Sequence, residues 1–256
     1  MRAFIAFFKK ELLDCFRSGR LLLLGILFVI FGIMNPAIAK LTPAMMELFS
    51  EEVGELGMVI GEARVDALTS WTQFFKNIPM ALIAFVLICG GSFVKEYQSG
   101  TLVLMLTKGL ARYKVVLAKA LTMLSLWTAG YWLCFAITYG YNAYYWDNAI
   151  AQNLAPAVVF WWLFGVMIVA LTVLFSTLTS SYGGVLLGTG AVVVVSTVVE
   201  FLPKTAKYTP TYLMSSGGLL SGAIGVEEFI PSLISALAIT AACFVSSIFA
   251  FNKKQL

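Results

Sequence analysis

Six long apolar stretches dominate this chain and limit what it can fold into. They cover residues 21–39, 78–94, 117–139, 157–178, 185–202 and 231–251. Each is close to the roughly 20 residues that a helix needs to cross the hydrocarbon layer of a bilayer. Because lipid offers no hydrogen-bond partners, the backbone of such stretches must bond within itself, which favours α-helices. The sequence therefore predicts an all-α integral membrane protein with six transmembrane helices in one domain, residues 1–256.

The composition excludes several classes of protein. Hydrophobic residues make up 60% of the chain and charged residues only 12%, with a mean hydropathy of +0.91. Soluble domains carry about 25% charged residues, so this chain cannot cover itself with polar surface in water. A soluble enzyme and a nucleic-acid partner are thereby excluded. The chain has no histidine and four widely spaced cysteines, so we expect no catalytic residue, no metal site and no cofactor bound by this chain.

The charges are distributed unevenly between the two predicted sides of the membrane. The side with both termini and the segment between helices 2 and 3 holds 12 of the 17 Lys and Arg residues, for a net charge of +9. The opposite side has a net charge of −5. By the positive-inside rule, both termini lie in the cytoplasm, and we expect a multi-pass protein of the bacterial plasma membrane.

Residues 1–20 form a predicted amphipathic helix. Its apolar residues recur at helical spacing, and most of its cations fall on the other side. Such a helix lies flat on the cytoplasmic leaflet, close to anionic headgroups. A simple topology anchor is the alternative. The residues assigned to this interfacial helix are Phe4, Phe8, Lys9, Lys10 and Leu12.

Glycines in the fifth apolar stretch predict close helix packing. Gly184 and Gly188 are four residues apart and lie on one face of the predicted helix. Small residues at this spacing let two helix backbones approach closely in a membrane.

Residues 95–116 form a predicted cytoplasmic loop with an unusual apolar run. Glu96 follows the second span, Gly100 can break the helix, and Thr101 can begin a new short helix. The five residues from Leu102 to Leu106 are all apolar. An apolar patch in an aqueous loop is expected to be covered by the membrane interface or by a partner protein.

These residues resemble a known family. Glu96-x-x-x-Gly100-Thr101-Leu102, followed by Arg112 and Lys119, is similar to the loop between helices 2 and 3 in permease subunits of type 2 ATP-binding-cassette (ABC) exporters. The resemblance covers the whole chain and departs at Gly109, where many members have proline. It implies that the loop contains a coupling helix that docks on a separate ATPase. The implied contacts are Glu96, Gly100, Thr101, Leu102, Leu104 and Arg112.

The resemblance also implies the partners. The chain has no phosphate-binding loop of the Walker type, so ATP and magnesium would be bound by the partner. Two ABC ATPase subunits and a second permease half, identical or related, would complete the smallest unit, set in membrane lipid. We expect a transport subunit without enzymatic activity of its own.

Two other functions remain open at this point. An ion-driven secondary carrier usually has charged residues within its spans, and a polytopic lipid-modifying enzyme needs clustered acids or bases. The sequence favours neither. Weakly polar residues in the spans would line the translocation path and suggest an amphipathic peptide or drug as cargo; they are Thr122, Ser125, Thr128, Thr172, Ser176 and Ser196.

Overall fold

Helices make up almost all of the protein. The computed structural model describes residues 2–54, 65–107, 109–202 and 204–254, with side chains for all of these except 2–3, 45–54 and 104. No strand occurs in these ranges. The helices are α1 (Arg2–Arg17), α2 (Arg20–Gly54), α3 (Ala67–Cys89), α4 (Ser92–Gln98), α5 (Thr101–Thr107), α6 (Arg112–Tyr145), α7 (Leu154–Leu178), α8 (Tyr182–Glu200) and α9 (Ile230–Lys253). Short 3₁₀ segments cover Asn148–Ile150, Ala206–Tyr208, Pro210–Ser221 and Val226–Phe229.

Six helical segments of the described chain are long and apolar enough to cross a membrane. They are Arg20–Ala44, Ala67–Gln98, Arg112–Tyr145, Leu154–Leu178, Tyr182–Glu200 and Val226–Lys253. This confirms the predicted fold class of an all-α protein with six spanning helices. Most helices are longer than their apolar stretches, since backbone hydrogen bonding continues beyond the lipid. With 34 residues, α6 is about 51 Å long, against a hydrocarbon thickness of about 30 Å.

The second span is interrupted near its end by two glycines. Gly90 and Gly91 separate α3 from α4, and the ring of Tyr182 from α8 packs against them. The Tyr182 hydroxyl donates a 2.6 Å hydrogen bond to the carbonyl of Leu87. The start of α8 is therefore attached to the point where α4 begins.

Helix α7 is at the centre of the bundle. In the most apolar part of α7, 67% of the residues are buried, compared with 11% in that of α8. The ring of Trp127 lies over Gly165 of α7, where any side chain would collide with it. Trp127 Nε1 donates to the carbonyl of Trp162 at 3.1 Å, and the Tyr131 hydroxyl donates to that of Val158 at 2.7 Å. Each of these aromatic residues buries a large apolar surface and also forms a hydrogen bond to α7. Together they hold α6 against α7.

A chain of polar side chains joins α2, α3 and α6 inside the bundle. Asn77 donates to Asn35 at 2.9 Å, and Asn35 donates to the Thr138 hydroxyl at 3.2 Å. The Thr138 hydroxyl donates to the carbonyl of Gly32 at 3.0 Å. In a membrane such interhelical hydrogen bonds are worth about 0.6 kcal/mol each on average, so they contribute to helix position together with packing.

The segment Pro210–Ser221 packs against α7 although it is not an α-helix. Ser216 donates to the carbonyl of Ala157 at 3.0 Å, and Trp161 Nε1 donates to that of Met214 at 3.0 Å. Irregular backbone is tolerated beside a membrane bundle when protein groups satisfy it in this way.

Candidate functional site

Five charged side chains from three helices meet at the end of the bundle that carries the basic excess. Helix α1 supplies Lys10, Glu11 and Asp14, α4 supplies Glu96, and α6 supplies Lys119. Lys119 Nζ lies 2.8 Å from Glu11 Oε2 and 3.0 Å from Glu96 Oε2. Lys10 Nζ lies 3.0 Å from Glu11 Oε1, 2.9 Å from Asp14 Oδ2 and 2.5 Å from Glu96 Oε1. We call these five residues the ion cluster.

The inner part of the ion cluster is almost completely removed from solvent. The side chains of Lys119, Glu11 and Glu96 are 1%, 7% and 12% exposed. Burying such charges costs several kcal/mol each, and the cost is offset only when every charge keeps its partners. Lys119 is held from both sides, by a hydrogen bond to Glu11 and by an ion pair to Glu96 that lacks hydrogen-bond geometry.

Lys10 is the outer cation of the ion cluster. Burial disfavours its charged form, but its hydrogen bonds to Glu96, Asp14 and Glu11 outweigh this effect and raise the pKa of Lys10 above its ordinary value. One oxygen from each of the three carboxylates lies within 4.8 Å of the others, which is close enough for a metal ion. The Lys10 ammonium contacts all three carboxylates and so supplies the positive charge at their centre.

The ion cluster forms one wall of a cavity of about 370 Å³. The cavity lies between α1, the start of α2, α4, α5 and α6. Besides the ion cluster, its lining includes Arg17, Arg20, Ser92, Lys95, Ser99 and Thr101.

The short helices α4 and α5 meet at a sharp turn beside this cavity. Gly100 has a φ of +67°, in the left-handed region that favours glycine. The hydroxyls of Ser99 and Thr101 on either side of it are 2.9 Å apart and share a hydrogen bond. The turn sets α5 at a fixed angle to the end of the second span.

Two further cations join helix ends on the same side of the molecule. Arg112 Nη1, at the start of α6, donates to the carbonyls of Phe251, Asn252 and Lys254 at 3.0, 3.2 and 2.6 Å. Lys254 Nζ donates to the carbonyls of Thr177 and Thr179 at 3.0 Å each. The carbonyls at a helix C-terminus carry partial negative charge, so Arg112 stabilises the end of α9, and Lys254 stabilises the end of α7.

The Lys254 ammonium also contacts the α4–α5 region. It lies 4.2 Å from the ring centre of Tyr97 in α4. Partial burial lowers the pKa of Lys254 below its ordinary value. We call Arg112, Lys254 and Tyr97 the C-terminal clamp, because together they attach the end of the last span to α4, α6 and α7.

A second cavity, of about 390 Å³, is apolar and lies among α3, α7 and α8. Its lining includes Leu82, Val86, Phe164, Ile168 and Val193. None of the weakly polar span residues expected to line a path is among its lining residues. Four of those hydroxyls donate instead to carbonyls four residues earlier in their own helices; they belong to Thr122, Thr172, Ser176 and Ser196.

Comparison with known proteins identifies the family. The sequence model described as ABC-2 family transporter protein matches residues 5–209 of this chain. The chain belongs to the ABC-2 transporter family. It is also 25% identical over 216 residues to the uncharacterized transmembrane protein YxlG of Bacillus subtilis (strain 168), covering 82% of this chain and 81% of that protein. No solved structure gives a significant match.

In this ABC-2 permease, the residues predicted to contact an ATPase lie in different environments. Glu96 is in the ion cluster, and Gly100 and Thr101 form the turn before α5. The interpretation of Leu102 as part of an exposed patch is wrong: it is 1% exposed and packs in the hydrophobic core, because α5 turns that face inward. The side chain of Leu104 lies outside the described residues.

Arg112 and Lys119 both bind groups within this chain. Arg112 Nη1 donates to three carbonyls at the end of α9. Lys119 is 2% exposed, because the carboxylates of Glu11 and Glu96 satisfy its charge inside the protein.

Helix α1 is amphipathic, and its apolar face packs against the other helices of this chain. Phe7, Glu11 and Cys15 are buried, and Phe4 and Phe8 pack against the core, whereas Lys9 is exposed. Leu12 is half-buried. Lys10 was expected beside lipid headgroups; it is in the ion cluster, because three carboxylates compete successfully for it.

The glycines of α8 make contacts within this chain. Gly188 lies against the ring of Phe175 in α7, which leaves no space for a side chain. The Gly184 amide donates to the Ser181 hydroxyl at 3.1 Å, which caps the start of α8.

The pairing of Glu11 and Glu96 with Lys119 was not predicted from the sequence. Glu11 lies on the same helical face as Phe4, Phe7 and Cys15, and an acid on an apolar face is a signal that a buried cation is nearby. The residue that supplies this cation is 108 positions away.

Proposed function

We propose that this chain is the membrane subunit of an ATP-driven exporter, forms half of the translocation path, and is moved by a separate ABC ATPase. Two copies of the ATPase and a second permease half, identical or related, complete the working unit. ATP and magnesium bind to the ATPase. Membership of the ABC-2 transporter family supports this proposal.

The ion cluster is the observation that carries the proposed mechanism. It joins α1, α4 and α6 through buried charges that cannot separate without a large cost. A push on α4 or α5 is therefore transmitted to the first turns of α6 and to α1 as one body. The C-terminal clamp extends the same connection to α7 and α9.

The proposed ATPase contact is the outward face of α5. Val103 is 41% exposed, next to the buried Leu102. Val103, Leu106 and Leu110 line an open groove of about 410 Å³ beside it. An apolar groove on the basic side of the bundle is suited to a helix or loop of a soluble partner.

The apolar cavity among α3, α7 and α8 supports an amphipathic peptide or drug as the cargo. Its lining would hold an apolar group, while a polar group would remain near the membrane surface. Outward transport and both termini in the cytoplasm complete the proposal, in agreement with the basic excess on the side of the ion cluster.

Co-purification from the native membrane tests the proposal. The tagged chain should retain an ATPase with a Walker motif, in a ratio of one to one by quantitative mass spectrometry. Val103→Asp should remove the ATPase and the transport-dependent ATP hydrolysis, because a carboxylate in the groove would be desolvated on docking.

Two variants make this test specific. Tyr144→Asp places the same charge at an 81% exposed position at the far end of α6 and should retain the ATPase. Leu102→Asp should lower the yield of folded protein, since Leu102 is buried. If Val103→Asp retains the ATPase at full ratio, α5 is not the docking surface; if the unchanged chain retains no ATPase, the proposed function is wrong.

A further inference from the structure

The cavity beside the ion cluster has more cations than the ion cluster uses. Its lining contains five cationic side chains and three carboxylates. The three carboxylates pair with Lys10 and Lys119. Arg17, Arg20 and Lys95 have no acidic partner within the described part of the chain and so give the cavity an unneutralised positive charge.

The cavity also offers neutral hydrogen-bond donors. The hydroxyls of Ser92, Ser99 and Thr101 belong to its lining. Its volume of about 370 Å³ is within the range of about 300–1,000 Å³ that is usual for small-molecule sites. A guanidinium group can donate two parallel hydrogen bonds to the oxygens of one phosphate, so an anion with a phosphate group fits this lining.

An apolar groove begins one turn beyond Arg20 on the same side of α2. Leu23, Leu27 and Ile30 follow Arg20 at helical spacing, and with Ile26 and Phe31 they line an open groove of about 310 Å³. From Leu23 to Phe31 the groove extends about 12 Å along the helix. Leu23, Ile26 and Ile30 are each more than half exposed.

We propose that this charged cavity and the α2 groove together bind one anionic phospholipid. The phosphate lies between Arg17, Arg20 and Lys95, and an acyl chain follows the groove from Leu23 toward Phe31. The charge of the cavity selects an anionic headgroup, since basic pockets at the ends of spanning helices attract such lipids. The neighbouring groove on α2 selects a lipid over free phosphate, because free phosphate has no apolar part to fill it.

This proposal is independent of the proposed transport function. It concerns the single chain and can be tested on purified protein without an ATPase. A lipid in this position would contact α1, α2 and α4 at once and would stabilise the ion cluster from its open side.

The test is thermal unfolding of the full chain in nonionic detergent with added lipid. Phosphatidylglycerol should raise the midpoint by roughly 4 °C or more at saturation, and phosphatidylcholine at the same concentration should raise it by less than half as much. Arg17→Gln with Arg20→Gln should reduce the phosphatidylglycerol shift to that of phosphatidylcholine. The control pair Lys9→Gln with Lys253→Gln removes the same charge from exposed positions outside the cavity and should keep the full shift.

Two further measurements distinguish a bound phospholipid from bound free phosphate. Inorganic phosphate should produce no shift, and Ile26→Trp, which fills the groove, should weaken the phosphatidylglycerol shift without changing the midpoint in phosphatidylcholine. Equal shifts for the two lipids, an equal shift with inorganic phosphate, or a full shift in the double arginine variant would each overturn the proposal.

Discussion

At the scale of single residues, the charged side chains matter most. Lys119 has a side chain that is 1% exposed, and it depends on Glu11 and Glu96 for its charge to be tolerated. The desolvation cost of a buried ion pair offsets most of its Coulomb attraction, so such a residue adds little net stability. Its main effect is to specify which helices pack together.

Replacing Lys119 with methionine should destabilise the protein strongly. Glu11 and Glu96 would each lose a buried counter-ion, and breaking a buried pair in this way costs about 3–5 kcal/mol. The thermal unfolding midpoint in detergent should fall, and the yield of folded protein should fall with it.

The double variant Glu11→Gln with Lys119→Met should recover part of that loss, since it removes one charge of each sign. Lys253→Met changes an exposed lysine and should leave the midpoint unchanged. An equal midpoint for Lys119→Met and the unchanged protein would contradict the described cluster.

At the scale of secondary-structure elements, cations at helix ends organise one side of the bundle. The C-terminal clamp places Arg112 on the end of α9 and Lys254 on the end of α7. A cation beside a helix C-terminus stabilises it by about 0.3–1 kcal/mol at exposed sites, and by up to about 2 kcal/mol in partly buried ones.

Arg112→Met should loosen the end of α9. We expect a loss of about 1–2 kcal/mol and faster amide hydrogen exchange near Phe251, measured by mass spectrometry. Arg112→Lys retains a cation with several donors and should lie between Met and Arg in both measurements. Exchange that is unchanged in Arg112→Met would show that the three carbonyls do not depend on this side chain.

Contact between α7 and α8 depends on Gly188. Gly188→Ala should cost about 1–3 kcal/mol, because its methyl group would overlap the Phe175 ring and force a shift of the helix. The matched control is Gly190→Ala, which meets open space and should be neutral or slightly stabilising.

A second change shows whether Phe175 is the cause. Gly188→Ala with Phe175→Leu should recover stability relative to Gly188→Ala alone, as judged by the unfolding midpoint. Equal midpoints for Gly188→Ala and Gly190→Ala would argue against a close approach of these two helices.

At the scale of the whole molecule, the charge imbalance predicts the orientation in the membrane. The four native cysteines are buried and free, and burial raises the pKa of the Cys15 thiol, which makes it less reactive. The native protein should therefore give little labelling by a membrane-impermeant maleimide.

Introduced cysteines should reveal the orientation. Lys253→Cys should be labelled only after the membrane of whole cells is opened, and Tyr144→Cys should be labelled in intact cells. Both positions are exposed. The reverse pattern would place both termini outside and would contradict the positive-inside assignment.

Much of the architecture followed from local sequence patterns. The six apolar stretches predicted six spanning helices, since length and hydropathy are properties of contiguous residues. The Gly100-Thr101 pair similarly coincides with the turn before α5. The direction of α5 did not follow from the pattern, because all five residues from Leu102 to Leu106 are apolar and no periodicity distinguishes an inner face.

Local sequence patterns were enough to predict a membrane protein with six spanning helices and with most of its positive charge on one side of the membrane. The tertiary structure alone decided how those charges are used. Lys119 meets Glu11 across 108 positions, and Arg112 meets Lys254 across 142. Burial and charge pairing depend on which helices pack together, and that information is absent from any single stretch of the chain. The same packing turned Leu102 inward and assembled the cavity that we propose for a lipid.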